Sequence, residues 1–430
     1  MTTARDGAYD VLNRIEEGAY ANLALDQYLD EAGDSLDPRD RAFMTELVYG
    51  TVKYRLKLDW AIDHMLTGVG QLRAGPRILL RTAFYQLFHM DRVPPRAVVN
   101  ETVNLAKRRF HSGVAALANG VLRNYLRRPE QVSWPDREDP AKYLSVMYSH
   151  PQWMLERWIR RYGEEDARSL CEFNNKPAEL WIRANTLRCE PGELLRRLES
   201  EGCGAAVSEV LPEALELKLG PPIPRLGSYR DGWFAVQDLT SMLAARALAP
   251  KPGDRVLDVC AAPGGKTGHL AQLMENRGGI LAMDVHPHRV RLIQSAMARL
   301  GVTCVESRTG DGTLISPGEQ GIFDGILLDA PCSGLGVLRR RADARWRKKE
   351  RDIQALAGLQ RKLFHRAVDC LKPGGRLIYS TCTLEPEENI RLVESVCRER
   401  ADMEMFLEPV QYLPFRDGME GFFLAGVRRV

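Results

Sequence analysis

Short apolar strands alternate with helical segments throughout residues 231–430, and this pattern constrains the fold more than any other feature of the sequence. Apolar strands separated by helices are typical of an α/β domain with a doubly wound parallel sheet. Ligands of such sheets bind beyond the carboxyl ends of the strands. The predicted strands span 255–260, 280–285, 304–307, 324–329 and 376–381. The predicted helices lie near 266–276, 287–300, 353–371 and 386–400.

Three further stretches precede this domain in the 430-residue chain. Residues 1–128 show apolar positions at helical spacing, with Gly and Pro between the runs, which predicts an all-α helical bundle. Residues 129–140 combine prolines with acidic residues and form a predicted linker. Residues 141–230 mix strand and helix patterns, including strands at 179–185 and 213–219, which predicts a small α+β domain.

Composition excludes several classes of protein. The chain is 44% hydrophobic and 27% charged, which is typical of globular domains rather than of disordered chains. The sequence has no run of 18 apolar residues, so no transmembrane helix is expected. No apolar signal segment follows Met1, and a cytoplasmic protein is therefore expected. Nine cysteines without a CxxC pair argue against a disulfide framework and against a zinc site. No metal is therefore expected.

Positive charge is concentrated in two stretches, although the net charge is only +3. Residues 73–128 contain 11 Lys or Arg against two acids, and residues 339–351 contain eight against two. Such stretches favour contact with a phosphate backbone, and Trp346 in the second one is placed to stack on a base. An alternative stays open for each feature. For the cations, it is that they line solvated helix faces near acidic neighbours. For Trp346, it is that the side chain packs in a helix interface.

A glycine-containing loop, Cys260-Ala-Ala-Pro-Gly-Gly-Lys-Thr267, follows the first predicted strand. Its glycines let a ligand approach the backbone, and a helix begins after them. The loop matches neither the Walker A motif nor the dinucleotide motif GxGxxG, which disfavours ATP hydrolysis and NAD. Asp284 at the end of the second strand is placed to bind ribose hydroxyls, and Asp311 after the third strand is placed to bind an adenine amine. S-adenosylmethionine fits this pattern; the alternative is that both aspartates are helix caps or turn residues.

Cys332 and Cys382 follow the fourth and fifth predicted strands. Because the ends of parallel strands share one edge, both thiols are expected at the ligand edge; the alternative is two buried core cysteines. A thiolate that adds to C6 of cytosine makes C5 nucleophilic toward a methyl sulfonium, which splits one difficult step into two. Asp329 is then placed to assist at N3 and Lys266 to stabilise the thiolate. The second cysteine would assist the release of the product.

Three motifs resemble the RNA cytosine-5 methyltransferase family: Asp258-Val-Cys-Ala-Ala-Pro-Gly-Gly-Lys-Thr267, Asp329-Ala-Pro-Cys-Ser-Gly334 and Ser380-Thr-Cys-Thr-Leu-Glu-Pro-Glu-Glu-Asn389. Within it the chain is similar to the bacterial Sun-type enzymes that act on 16S rRNA, and residues 5–128 resemble their NusB-like RNA-binding domain. The resemblance implies a Rossmann-like fold for 231–430, Cys382 as the nucleophile and Cys332 as the residue that assists product release. The residues that it implies in S-adenosylmethionine binding are Cys260, Ala261, Ala262, Pro263, Gly264, Gly265, Lys266, Asp284, Asp311 and Asp329.

The sequence thus predicts a multidomain S-adenosylmethionine-dependent methyltransferase that modifies C5 of a cytosine in 16S rRNA. Its predicted catalytic residues are Cys382, Cys332, Asp329 and Lys266. The expected substrate is RNA that is not yet fully packed in a subunit, because the target base must leave its stack. A monomer without metal or membrane partner is expected. Two alternatives are the same chemistry on another RNA, such as tRNA, and a non-catalytic RNA-binding assembly factor.

Overall fold

The structure, a computed structural model, describes residues 3–66, 72–315 and 317–430. The chain divides into two units. Unit 1 comprises Met1–Lys176 and Leu338–Lys348, and unit 2 comprises Pro177–Val337 and Lys349–Val430. The chain therefore passes between the units three times. The domain boundaries predicted from composition, after residues 128, 140 and 230, remain predictions.

The described part of unit 1 is helical and contains no strand. Its α-helices are α1 (Ala4–Glu16), α2 (Ala21–Ala32), α3 (Pro38–Lys53), α4 (Arg55–Met65), α5 (Ala74–His89), α6 (Pro95–Arg109), α7 (Ser112–Arg127), α8 (Pro140–Tyr148), α9 (Gln152–Tyr162), α10 (Glu164–Asn175) and α16 (Ala344–Arg347). Local sequence sets several helix starts: Thr3 and Asp6 form a capping box, and Asp37 caps α3 just before Pro38. Apolar residues of α1, α3, α5 and α7 share one core, in which Phe84 is fully buried. The prediction of a helical bundle is confirmed.

Part of the basic stretch 339–351 is buried inside unit 1. Arg345 is fully buried, and its guanidinium donates a hydrogen bond of 2.9 Å to Oδ1 of Asn175. Trp346 donates from Nε1 to the carbonyl oxygen of Val52 at 2.7 Å. The structure thus shows Trp346 packed in a helix interface rather than free to stack on a base. Its indole packs against the helical bundle because its N–H and the neighbouring guanidinium both find backbone or amide acceptors there.

Unit 2 carries two sheets. Its strands are β1 (Leu180–Ala184), β2 (Gly204–Val207), β3 (Ala214–Leu219), β4 (Phe234–Val236), β5 (Arg255–Asp258), β6 (Gly279–Asp284), β7 (Val305–Thr309), β8 (Phe323–Asp329), β9 (Leu371–Thr381), β10 (Met403–Tyr412) and β11 (Phe422–Arg429). Its α-helices are α11 (Pro191–Ser200), α12 (Gly227–Arg230), α13 (Leu239–Leu248), α14 (Gly265–Leu273), α15 (Pro287–Leu300), α17 (Glu350–Cys370), α18 (Ile390–Glu399) and α19 (Pro414–Asp417). The smaller sheet is antiparallel, in the order β2-β3-β1-β4.

The larger sheet has seven strands in the order β10-β11-β9-β8-β5-β6-β7. Strands β5 to β9 are parallel, as predicted. Strand β11 pairs antiparallel with β9 and with β10, so the sheet is mixed rather than wholly parallel. The sequence pattern missed these two strands because only the four-residue α19 separates them, and no crossover helix marks their limits.

The carboxyl ends of the parallel strands carry the chemistry-bearing side chains. Asp258, Asp284 and Asp329 are the last residues of β5, β6 and β8. In the ladders, Asp284 lies opposite Thr309 and Asp329 lies opposite Ser380. The sheet therefore brings side chains that are far apart in sequence to one edge.

Candidate active site

The loop between β5 and α14 follows the sheet edge. Its Ala261 donates from the backbone N–H to the carbonyl oxygen of Met283 at 2.8 Å, which fixes the loop beside the end of β6. Gly264 has a φ of 102°, a left-handed conformation that favours glycine. A Cβ at Gly264 would also lie 3.3 Å from Cα of Ile293. Glycine at this position therefore lets the loop turn into α14.

Asp258 braces this loop from inside the sheet. Its carboxylate is fully buried, and Oδ2 accepts a hydrogen bond of 2.7 Å from the hydroxyl of Thr267. Burial raises the pKa of Asp258 to about 7, against the opposing effect of that hydrogen bond. Its Oδ1 is a buried polar atom without a hydrogen-bond partner among the described residues. Asp258 therefore supports the loop rather than facing a ligand directly.

Asp284 lies at the end of β6 with its carboxylate largely buried. Oδ1 accepts from the backbone N–H of His286 at 3.1 Å, and Oδ2 lies 3.0 Å from Nη1 of Arg289. The same guanidinium donates to the carbonyl oxygen of Ala262 at 3.1 Å. Arg289 thus links the carboxylate to the glycine-containing loop, a role that the sequence analysis did not assign to any residue. His286 itself is exposed and immediately precedes α15.

Asp311 has a different environment. It is exposed, and its Oδ1 accepts from the backbone N–H of Thr313 at 2.9 Å and from the Thr313 hydroxyl at 2.7 Å. The turn-residue alternative accounts for these hydrogen bonds, as it does for the contact of Asp284 with His286. Each carboxylate keeps further acceptor positions, so a role of either residue in ligand binding stays a prediction.

Lys266 and Asp329 form the charged centre of the edge. Lys266 Nζ lies 2.7 Å from Oδ2 of Asp329, whose Oδ1 accepts from the hydroxyl of Ser380 at 2.9 Å. Burial opposes the charge on Lys266, but the nearby Asp329 and Cys382 outweigh it and raise the lysine pKa. Lys266 is therefore paired with a carboxylate and lies within the electrostatic influence of Cys382, and its role in stabilising a thiolate stays a prediction.

The two loop cysteines meet at this edge. Cys332 Sγ and Cys382 Sγ are 3.4 Å apart, a hydrogen-bonding distance for thiols, and both residues are partly exposed. They are thus not enclosed core cysteines. The hydrogen bond with Cys382, followed by burial, holds the pKa of Cys332 well above its ordinary value.

A buried polar network lies behind the two cysteines, and sequence reasoning missed it. Its central residue is Glu388, which is fully buried and accepts hydrogen bonds from Ser333 and Gln360. The neighbouring Asn389 bonds to the loop that carries Cys382. Both residues lie in the third motif, but only the structure shows what they contact.

The described residues contain no helix that is long and apolar enough to cross a bilayer. Among the same residues, no group of three or more His, Cys, Asp and Glu side chains is arranged to hold a metal ion.

The basic residues of the stretch 73–128 fall into two groups in the structure. Four of them are in ion pairs within unit 1; they are Arg77, Arg81, Arg108 and Arg109. Seven others are exposed; they are Arg73, Arg92, Arg96, Lys107, Arg123, Arg127 and Arg128. The exposed group is the part of the stretch that is available to a polyanion.

Models of three protein families match the chain. They describe the 16S rRNA methyltransferases RsmB/F at residues 245–428, the NusB family at 2–127 and the ferredoxin-like domain of RsmF/B-like methyltransferases at 150–223. A probable ribosomal RNA small subunit methyltransferase B of Bacillus subtilis (strain 168) is 35% identical over 446 residues, covering 100% of this chain and 99% of the relative. The chain belongs to the RsmB/F family of 16S rRNA methyltransferases.

Solved structures agree with this membership of the RsmB/F family. The crystal structure of PH0851 matches with a TM-score of 0.84 at 27% identity, covering 98% of both chains. The crystal structure of NSun6 from Pyrococcus horikoshii with SFG matches with a TM-score of 0.59 at 27% identity, covering 64% of this chain and 97% of that one. The predicted NusB-like domain and Rossmann-like methyltransferase domain are thereby confirmed.

As a member of the RsmB/F family, the protein is an S-adenosylmethionine-dependent rRNA methyltransferase. The residues at the sheet edge fit this ligand. The loop before α14 offers close backbone approach, and carboxylates at the ends of β6 and after β7 suit hydroxyl and amine donors. When bound, S-adenosylmethionine supplies an electrophilic methyl group.

Proposed function

We propose that the protein methylates C5 of a specific cytosine in 16S rRNA through a covalent bond between Cys382 and C6. One observation carries this proposal: two thiols lie 3.4 Å apart beside the ion pair of Lys266 and Asp329. Methyl transfer to an oxygen or an exocyclic amine needs no thiol. C5 of cytosine, in contrast, becomes reactive only after a nucleophile has added to C6.

Cys382 is the thiol that we assign as nucleophile. We assign the S–H of the pair to Cys332, whose pKa is held above its ordinary value, so that in this proposal Cys332 donates the hydrogen bond to the Cys382 sulfur. Cys382 also interacts with the cation of Lys266, which favours its ionised form. A thiolate is the reactive form of cysteine, so Cys382 attacks C6 and Cys332 stabilises the thiolate from the other side.

The addition needs a proton at N3. When the Cys382 sulfur bonds to C6, the electron pair of the C5–C6 double bond moves to C5 and is delocalised through C4 onto N3. A donor at N3 neutralises the charge that develops there. We assign this contact to Asp329, which relays a proton from Lys266 to N3 and returns it when the adduct breaks down. The 2.7 Å contact between the two side chains gives the relay a direct path.

Product release reverses the addition. After C5 has accepted the methyl group, its proton leaves to a water molecule and the electron pair reforms the C5–C6 double bond. The bond between C6 and the Cys382 sulfur breaks, and the pair on that sulfur restores the thiolate. Cys332 donates its S–H to the departing sulfur, which stabilises it as a leaving group. The net products are 5-methylcytidine, S-adenosylhomocysteine and one proton.

The RNA partner follows from the family and from charge. Exposed cations such as Lys107, Arg123 and Arg128 of the NusB-like domain suit a phosphate backbone. The target cytosine has to leave its stack to reach Cys382, which favours rRNA that is not yet fully packed in a subunit. An rRNA substrate is also consistent with the predicted cytoplasmic location. Action by a monomer remains a prediction.

The test is methyl transfer from labelled S-adenosylmethionine to unmodified 16S rRNA, followed by mass spectrometry of the nucleosides. We expect 5-methylcytidine with the native chain and none with Cys382→Ala. Cys332→Ala should accumulate a protein–RNA adduct that resists denaturation, whereas Cys382→Ala should form none. An adduct with Cys382→Ala alone would reverse the two assignments.

The same experiment separates the remaining alternatives. Product on tRNA but not on 16S rRNA would move the substrate to another RNA. S-adenosylmethionine binding without label on either RNA would favour an assembly factor without catalytic activity.

A further inference from the structure

Two adjacent residues, Glu388 and Asn389, contact the two loops that carry the cysteines. Glu388 bonds to the loop of Cys332, and Asn389 bonds to the loop of Cys382. Both side chains are buried, at 0% and 1% exposure. Their hydrogen bonds to Ser333 and to Thr381 hold these loops in place.

The backbone on both sides of Cys332 is held. On one side, Gln360 donates from Nε2 to the carbonyl oxygen of Pro331 at 2.9 Å. On the other side, Ser333 donates its backbone N–H to Oε2 of Glu388 at 2.8 Å and its hydroxyl to Oε1. Gln360 also donates to Oε2 of Glu388 at 2.9 Å. Glu388 is thus the shared acceptor that fixes both flanks of Cys332.

Both chain neighbours of Cys382 are also held by hydrogen bonds. Thr381 donates its hydroxyl to Oδ1 of Asn389 at 2.6 Å, and Asn389 donates from Nδ2 to the carbonyl oxygen of Thr383 at 3.0 Å. The hydroxyls of Ser333 and Thr383 are 2.6 Å apart and join the two loops directly. The spacing of the two sulfurs therefore depends on one continuous network.

We propose that Glu388 is a positioning residue for Cys332, and that Asn389 is its counterpart for Cys382. This inference rests on the proposed function, in which Cys332 acts when the adduct breaks down. Without an acceptor at position 388, the Ser333 N–H and the Gln360 amide lose their common partner, and the Cys332 loop is no longer fixed. A displacement of about 1 Å at a reacting group is enough to slow a step by about 100-fold.

Loss of Glu388 and loss of Asn389 should affect different steps of the reaction. Loss of Glu388 should slow adduct breakdown and leave adduct formation largely intact, so that the protein–RNA adduct accumulates. Loss of Asn389 should slow adduct formation, so that less adduct appears. A residue that only stabilises the fold would lower both steps together with the amount of folded protein.

The experiment measures denaturation-resistant adduct and single-turnover methyl transfer with the full chain and unmodified 16S rRNA. Glu388→Met keeps the length of the side chain but cannot accept these hydrogen bonds. We expect it to raise the adduct at least about 10-fold over the native chain and to slow turnover by about 10- to 100-fold. Asn389→Leu should lower the adduct formed in a Cys332→Ala background by a similar factor.

Glu388→Gln is the conservative variant. Its Oε1 can accept from Ser333 N–H and Gln360, while its amide donates to the Ser333 hydroxyl, which then donates to Thr383. We expect it to restore breakdown to within about threefold of the native rate. Glu394→Met, on the exposed face of α18, is the matched control and should behave like the native chain.

Three results would overturn the inference. The first is a Glu388→Met variant that has the native thermal midpoint and turns over slowly but accumulates no adduct. This result would show that position 388 does not act through Cys332. A loss of activity that follows only the folded fraction would show a structural role. If Cys332→Ala itself accumulates no adduct, the proposed function fails and the inference fails with it.

Discussion

Lys266 Nζ and Asp329 Oδ2 lie 2.7 Å apart, and this ion pair joins the loop that follows β5 to the end of β8. The partners are 63 residues apart in sequence, yet parallel strands place them at one edge. The pair is largely buried on the lysine side and lies within the electrostatic influence of Cys382. Charge at this site is thus already in position before any substrate binds.

Replacing Lys266 by Met should remove that charge while keeping the length of the side chain. We expect the rate of methyl transfer to fall by about 100- to 1,000-fold, because a preorganised charge is lost from the reacting site. Single-turnover kinetics with saturating S-adenosylmethionine measure this. Lys251→Met, an exposed lysine ahead of β5, should retain native activity. A Lys266→Met enzyme with more than half the native rate would contradict the assignment.

Alkylation should distinguish the two cysteines without any RNA. The pKa of Cys332 is raised above its ordinary value, so its thiolate fraction at pH 8 is small. Cys382 lies beside a cation, and we expect iodoacetamide to modify Cys382 first. Peptide mass spectrometry after brief treatment at pH 8 measures the order. Earlier labelling of Cys332 would favour it as the nucleophile.

Asp284→Asn should weaken binding of S-adenosylmethionine. The carboxylate is largely buried beside Arg289, so its loss removes a charge-assisted acceptor and leaves the guanidinium without this ionic partner. We expect Kd to rise by about 10- to 100-fold, the equivalent of about 1.5–3 kcal/mol. Asp311→Asn should have a smaller effect because Asp311 is exposed. Isothermal titration of both variants would show the order, and equal effects would contradict it.

Arg345→Met should destabilise the helical unit rather than weaken RNA binding. Its guanidinium donates to the carbonyl oxygens of Ser149 and Asn174, and the variant leaves those buried acceptors unpaired. We expect a loss of about 2–3 kcal/mol in the free energy of unfolding. Arg341→Met, at an exposed position in the same stretch, should not change stability. Denaturant unfolding and RNA affinity of the folded fraction separate the two effects.

His89 should make the stability of the helical unit depend on pH. Burial, aided by the charge of Lys57, lowers its pKa to about 4, whereas Asp91 acts in the opposite direction. The unfolded chain therefore binds a proton before the folded one does as the pH falls. Stability is fully present above about pH 6.5 and is lost progressively down to about pH 4, by about 3 kcal/mol.

His89→Leu should abolish that part of the loss. The measurement is the thermal midpoint at pH 7.5 and pH 4.5. His111→Leu, at an exposed position, should keep the native pH dependence. An identical pH dependence in the His89 variant and the native chain would refute the prediction.

The parallel part of the sheet was predictable because its apolar strand pattern and the Gly and Pro residues that end its helices are local features of the sequence. Helix α15 spans Pro287–Leu300, as the pattern predicts, since proline starts it and Gly301 ends it in a left-handed conformation. The encounter of Cys332 and Cys382 was predictable too, because topology alone brings successive strand ends together.

Other features depend on tertiary contacts that no local pattern shows. The charge on Arg345 suggested a surface position. In the fold its guanidinium donates instead to acceptors distant in sequence, which are three backbone carbonyl oxygens and the side chain of Asn175. Glu388 reads as one acid in an acidic run, and only the fold supplies Ser333 and Gln360 as its donors. Strand β11 is a continuous apolar run, whose pairing depends on strands elsewhere.

The return of the chain to unit 1 at residues 338–348 has a consequence for synthesis on the ribosome. When residue 176 has emerged, Arg345 and Trp346, which complete the core of that unit, have not yet been translated. At about 5 to 20 residues per second they follow roughly 10 to 30 s later. The N-terminal helices of the nascent chain therefore wait in an unfinished state while the methyltransferase strands β5 to β8 are being made.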